Sequence, residues 1–319
     1  MGFATYLVRR SIVAFGLIVL VAVINFAIIH LAPGGPSHLL ANSPRITPAE
    51  REQILASLGL NQPIYQQFIT YITGLFTGNW GLSYFYLEPA YQVIAQRVPA
   101  TLLLMVPSLI VTIVVGISLG ILAARKPFSL FDRSLSTFSF FFYAMPAFWL
   151  GFILLTLFAL DFRLFPASGI TSAVGGGSVL DILEHLALPM ASLVLVNLAN
   201  FSMVMRTSLV EVLDQNYITT ARGKGLTERT IFYRHALRNA LLPTVTMTGL
   251  YVAFLLTGAI VTETVFTWPG LGLLTYTSII NRDYPVVLSL FFIFAVMIIV
   301  VNLLTDVVYG FLDPRISYD

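Results

Sequence analysis

Six stretches of this chain are long and apolar enough to cross a lipid bilayer, and they dictate what it can fold into. A bilayer core takes roughly 20 apolar residues at about 1.5 Å rise each. Residues 11–31, 101–124, 134–160, 185–205, 240–262 and 285–305 all qualify. Inside hydrocarbon every backbone N–H and C=O must pair within its own segment, so these stretches are expected to be helices. The totals agree: 57% of the 319 residues are hydrophobic and 10% are charged, against about 25% charged in soluble domains. The expected fold is therefore all-α and integral to a membrane, one transmembrane domain over residues 1–319 with six spans. Arg9 and Arg10 precede the first stretch as they would a signal peptide. The apolar run is too long for a typical h-region and no small-residue cleavage site follows, so it reads as a retained helix.

An even number of spans puts both termini on one side. On that side fall Arg9, Arg10, Arg125, Lys126, Arg133, Arg206, Arg222, Lys224, Arg229, Arg234, Arg238 and Arg315, twelve basic residues. The other side holds five, Arg45, Arg51, Arg97, Arg163 and Arg282. The positive-inside rule then places the termini in the cytosol. The extracytoplasmic segment 32–99 carries two helical patterns, over 48–58 and 63–76, and the interfacial aromatics Trp80, Tyr84, Phe85 and Tyr86. Residues 171–178, TSAVGGGS, read as a flexible linker. Residues 264–284 contain Trp268, Pro269, Gly270 and Gly272, a composition that predicts irregular backbone. Such backbone survives at membrane depth only beside protein or water. Glu263, Phe266, Trp268, Pro269 and Gly270 are thus candidates for the mouth of a pathway.

Most chemistries are excluded or disfavoured by what the chain lacks. There is no cysteine, hence no disulfide, thiol catalysis or Cys-ligated metal. The histidines His30, His38, His185 and His235 form no metal-binding spacing, so no metal site is expected. No phosphate-binding G-x-x-x-x-G-K-[ST] loop exists, so the chain does not split nucleotide by itself. Residues 116–120, GISLG, match the G-x-S-x-G elbow of hydrolases, with Ser118 as nucleophile. That motif needs a strand–turn–helix, and these residues sit within an apolar helix. Gly116 and Gly120 also make a G-x-x-x-G pair, which lets two membrane helices approach closely, and packing is the favoured reading. The acids nearest the spans, Asp161, Glu184, Glu263 and Asp306, lie at span ends. A proton relay through the centre is not expected.

What remains is a polar run, residues 211–243, within a loop spanning 208–240. Arg222, Lys224, Arg229, Arg234 and Arg238 face Glu211, Asp214 and Glu228. Ala221 and Gly225 are four apart and would share one face if both lay on a helix, and Gly223 and Gly225 are expected to weaken and end the turn. Thr227 followed by Glu228 reads as a helix start, with an acid in the first turn. A second helix, about 228–241, leads into the fifth span. A short helix rigidly joined to a span suits a force-transmitting contact. A basic loop that merely sets topology is the competing reading, and spacing does not separate the two.

The sequence of that run, YITTARGKGL over 217–226 followed by HALRNALLP over 235–243, resembles the coupling loop of ATP-binding-cassette importer permeases. The likeness is greatest to the dipeptide/oligopeptide/nickel branch and its first (DppB-like) permease subunit. It extends through residues 6–10, 31–36, 58–63, GNWGLS over 78–83, RVPAT over 97–101, ETVF over 263–266, PGLG over 269–272 and RDYP over 282–285. Thr219 stands where the eponymous acid would be, and Gly35 and Asn79 replace two other usual acids. The resemblance implies a type I importer permease fold. It also implies a partner second permease (DppC-like), two cytosolic ATPases that bind ATP and Mg, and an extracytoplasmic solute-binding protein. There would be no catalytic residue and no cofactor in this chain, and no nucleic acid partner. It implies that Tyr217, Thr220, Ala221, Arg222, Gly223, Lys224, Gly225, Leu226 and Glu228 form the ATPase-coupling site. The location would be a prokaryotic inner membrane, and the solute a di- or oligopeptide. Nickel complexes, glutathione and oligosaccharides are alternatives that similar permeases carry.

Overall fold

A computed structural model describes residues 3–31, 56, 59, 61–253 and 259–312. Among these the regular structure is helical, with one isolated antiparallel bridge between Leu82 and Pro89. The elements are α1 (Phe3–Leu31), α2 (Ile64–Thr77), α3 (Ala90–Arg125), α4 (Leu130–Ala144) and α5 (Ala147–Leu154). A π-helical segment, Leu155–Asp161, continues α5. Next come α6 (Val179–Leu213), α7 (Asn216–Gly223) and the single turn α8 (Glu228–Thr230). A second π-helical segment, Ile231–Ala236, leads into α9 (Leu237–Ala240) and α10 (Leu242–Ala253). The last described elements are α11 (Ile260–Val265), α12 (Leu271–Ile280) and α13 (Tyr284–Leu312).

Among the described residues four helices are long and apolar enough to cross a membrane, and a fifth span is made if a bent pair counts as one. The expected spans 11–31, 101–124, 185–205 and 285–305 lie within α1, α3, α6 and α13. Span 134–160 is corrected: it is two pieces that meet at 101°. Pro146 is the cause. It pushes the preceding Met145 into extended backbone (ψ 131°), so the first helix stops there. Span 240–262 holds α10 and the start of α11, and residues 254–258 between them are outside the described set. The helix expected over 48–58 is almost wholly outside it too. α3 starts at Ala90, so the last ten residues of the expected outer segment 32–99 are helical despite Pro99. Residues 264–284 are also more regular than expected, because the ten-residue α12 occupies about half of that loop.

The chain divides into two compact units, residues 1–99 with 270–319, and residues 100–269. In the first, α1 packs along α13. Ala22, Leu75 and Phe292 form one core, and Val93, Ile94, Leu271, Leu274, Val286 and Leu290 form another. α2 matches the helical pattern read over 63–76 and ends at Gly78, whose φ of 81° stops it. The runs GNWGLS and RDYP, 200 residues apart, meet here. The Asp283 carboxylate is wholly buried; it accepts from the Ser83 hydroxyl and from the amides of Tyr84 (3.0 Å) and Phe85 (3.4 Å). Burial first, then the Asp283 charge and Tyr284, push the Tyr84 phenol up to about 12.

In the second unit α6 is the central post, touching α4, α5, α9 and α10. Ser178 caps it, its hydroxyl accepting from the Asp181 amide at 3.2 Å. The residues read as a flexible linker are folded onto that end. The Asp181 carboxylate accepts from the Ser172 hydroxyl (2.6 Å) and the Gly177 amide (2.9 Å). α3 lies against α6 at the two glycines of GISLG. A Cβ on Gly116 would sit 2.7 Å from the Phe201 Cβ, and one on Gly120 would sit 2.6 Å from the Ser202 carbonyl oxygen. The packing reading of G-x-x-x-G holds. Ser118 is exposed and donates to the Val114 carbonyl at 2.6 Å, a bond within its own helix, with no acid or base bonded to it among the described residues.

Candidate functional site

The polar run folds as a helix–turn–helix carried between α6 and α10. α6 ends at Leu213, and α7 begins two residues after Asp214, with Gln215 in extended backbone at its N-cap (ψ 147°). α7 is amphipathic by three-residue spacing. Ile218 (0% exposed) and Ala221 (7%) point inward onto Met205, Leu209, Ile231, Ala236 and Ala240. Tyr217, Thr220, Arg222, Gly223 and Lys224 are exposed. Burying two such side chains is worth a few kcal/mol, at about 25 cal/mol per Å², which attaches a short helix to the end of a long one.

The turn after α7 corrects one sequence inference. Ala221 and Gly225 do not share a helix face, because α7 stops at Gly223. Gly225 has φ 75°, a left-handed conformation that glycine adopts without strain. Its amide donates to the Arg222 carbonyl at 2.9 Å, and the Leu226 amide reaches back to Ala221 at 3.4 Å. These bonds close the helix in the way αL glycines do. Thr227 then starts the next element as expected, its hydroxyl accepting from the Thr230 amide at 3.3 Å. Arg222 bridges the turn to Glu228, Nε to Oε1 at 2.9 Å. Both side chains are solvent-exposed, so that pair contributes at most about 1 kcal/mol.

Two features of this site escaped the sequence. Ile218 is the deepest anchor of α7, and its signal was its position three residues before Ala221. The π-helical segment Ile231–Ala236 interrupts the helix expected over 228–241. It is held by Arg125 at the end of α3. The guanidinium lies 5.5 Å from the centres of both the Phe232 and Tyr233 rings and donates to the Tyr233 hydroxyl. Nearby, Arg206 of α6 donates twice to Asp132 of α4, Nε to Oδ1 at 2.9 Å and Nη2 to Oδ2 at 2.7 Å. The Phe128 amide also donates to that carboxylate at 2.8 Å. The helix–turn–helix thus rests on the ends of α3 and α6, and α6 is in turn clamped to α4.

The residues read as a pathway mouth are largely buried. Glu263, Phe266 and Trp268 are at most 1% exposed, Gly270 is buried and Pro269 is half-buried. Glu263 accepts from the Thr101 hydroxyl at 3.1 Å, and the Trp268 indole donates to the Ala100 carbonyl at 2.8 Å. The runs RVPAT and ETVF meet through these bonds. Phe266 fits beside Gly151, where a Cβ would lie 3.5 Å from its ring.

Long apolar helices that carry one polar helix–turn–helix with an exposed outer face are the architecture of an integral membrane protein. The chain belongs to the family described as the binding-protein-dependent transport system inner membrane component, which it matches over residues 116–318. The N-terminal module of the same systems matches over residues 3–105. It is 37% identical to the oligopeptide transport system permease protein AppB of Bacillus subtilis (strain 168), over 99% of this chain and 100% of that protein. It is 39% identical to the dipeptide transport system permease protein DppB of Escherichia coli (strain K12), over 98% of each. The di/tripeptide transport system permease protein DppB of Pseudomonas aeruginosa (strain UCBPP-PA14) is 38% identical, over 93% of this chain and 94% of that protein.

Proposed function

We propose that the chain is one of two permease subunits of an ATP-driven importer of di- and oligopeptides. One observation carries this: α7 is fixed by Ile218 and Ala221 to the helices that cross the membrane, while its other face stands bare. A rigid element with one attached face and one open face can transmit a push from a partner. On this reading Tyr217, Thr220, Arg222, Gly223, Lys224, Gly225, Leu226 and Glu228 meet a cytosolic ATPase, and Ala221 serves from behind by seating the helix. ATP binding closes the ATPase pair, and the two permeases rock between inward- and outward-open states. Both termini lie in the cytosol, and a binding protein delivers the solute from outside. The relatives' named solutes support peptides over nickel complexes, glutathione or oligosaccharides. Glu263, Phe266, Trp268, Pro269 and Gly270 form the rigid frame of the pathway mouth, not its wetted surface.

Reconstitution tests this. Liposomes holding the permease pair, both ATPases and the binding protein will accumulate dipeptide only with ATP, and this chain alone will accumulate none. Uptake by this chain alone that a proton uncoupler abolishes would overturn the proposal.

A further inference from the structure

α3 and α6 touch at Gly116 and Gly120 and leave space earlier along α3. Residues 108, 112, 116 and 120 are spaced by four and make one ridge of the helix. Its glycine half meets α6 directly. Its Ser108 and Thr112 half borders a cavity of about 40 Å³ between α3, α6 and α10. Leu109 and Leu193 form apolar walls, and the polar side chains are Ser108, Thr112, Asn197 and Tyr251.

The hydrogen bonds of this lining are incomplete. Ser108 donates to the Leu104 carbonyl at 2.6 Å, and the Asn197 Nδ2 donates to the Leu193 carbonyl at 2.7 Å. Thr112 borders the hollow, and no hydrogen bond from its hydroxyl to the protein is seen among the described residues. A hydroxyl with no protein partner is best satisfied by a polar group or water in the space it borders. The cavity exceeds the roughly 10–15 Å³ that a single water needs. Asn197 and Tyr251 line the hollow and are only partly buried. All four polar residues sit within apolar helices, where polar groups face protein or water and not lipid. No charged side chain lines the hollow.

Resting on the importer reading above, we propose that this hollow is a subsite on the solute route for a neutral hydrogen-bonding group. Thr112 and Tyr251 can each donate and accept, and the Asn197 Oδ1 accepts, a set that complements an amide. Water occupies the hollow between transport cycles, and a peptide amide of the solute replaces it in passing.

The chain has no cysteine, so Thr112→Cys places a single thiol at the site. In the assembled complex with a cysteine-free set of partners, a small water-borne methanethiosulfonate will label it on the order of tenfold faster than Val114→Cys, because the reagent needs a hydrated thiolate. Val114 is 58% exposed and stands about 200° around the helix. A transported dipeptide will slow labelling of Thr112→Cys, and Thr112→Val will raise KM for that dipeptide about fivefold, the effect of one neutral hydrogen bond, with an unchanged unfolding midpoint. Labelling no faster than at Val114→Cys would overturn the proposal. So would labelling that dipeptide leaves unaltered in a complex that transports it, which would mark an internal water site only. A wild-type complex that moves no dipeptide would instead fail the importer's solute assignment, and the labelling contrast would still decide whether the hollow opens to water.

Discussion

Gly120→Leu is expected to prevent assembly of a stable protein. A Cβ at that position would lie 2.6 Å from the Ser202 carbonyl oxygen, 2.7 Å from the Met205 Cβ and 3.1 Å from the Arg206 amide nitrogen. Those atoms are backbone or anchored directly to it, so no rotamer change relieves the clash. α3 and α6 would have to separate, and the core around Met205 and Leu209 would open with them. Overpacking ordinarily costs about 1–3 kcal/mol. With helix backbone on both sides, the cost here should exceed about 3 kcal/mol, a large share of the few kcal/mol by which folded proteins are stable. The yield of folded chain after detergent extraction and the thermal midpoint will show it. Gly223→Ala is the matched control: nothing lies within 4 Å of its added Cβ. It should leave the midpoint unchanged or slightly higher, because alanine favours a helix over glycine.

Asp132→Ala should destabilise the chain by about 3 kcal/mol, the lower end of the range for breaking a buried ion pair by removing one partner. The mutation strands the Arg206 guanidinium and the Phe128 amide together. Arg206 keeps a side-chain exposure of 20% against 3% for Asp132, which holds the cost to that lower end. The pair ties α4 to α6 beside the helix–turn–helix, so transport should fall along with stability. Asp132→Leu combined with Arg206→Met should recover most of the midpoint, since a well-packed apolar pair can replace a buried ionic one. A double-mutant cycle on the midpoint isolates the coupling. Additive losses would mean that the bond geometry is not energetically significant.

The parts of this protein legible in its sequence are those where one residue type has one physical use. Apolar runs of span length, Gly116 and Gly120 four apart, and Thr227 as a helix start each translated directly into structure. The paired runs GNWGLS with RDYP, and RVPAT with ETVF, were visible as motifs. Only the fold revealed that they are halves of two buried hydrogen-bonded junctions. Three features were hidden. Pro146 could have kinked a span or ended it, and the 101° bend depends on what α5 packs against. Gly225 could share a face with Ala221 or end the helix, and its φ of 75° places it in the turn. The burial of Glu263 and Trp268 was hidden as well, because sequence reports polarity and irregularity but not which way a side chain points.

The central claim is that the open face of α7 is gripped by a cytosolic ATPase. Single-cysteine cross-linking of the assembled complex tests it most directly, since the chain supplies no cysteine of its own. Thr220→Cys and Lys224→Cys should each join to a cysteine-bearing ATPase subunit, with a yield that changes when ATP binds, and Ile218→Cys on the buried face should not. Failure of both outward positions to cross-link, or their labelling by an impermeant thiol reagent added outside intact cells, would contradict the account.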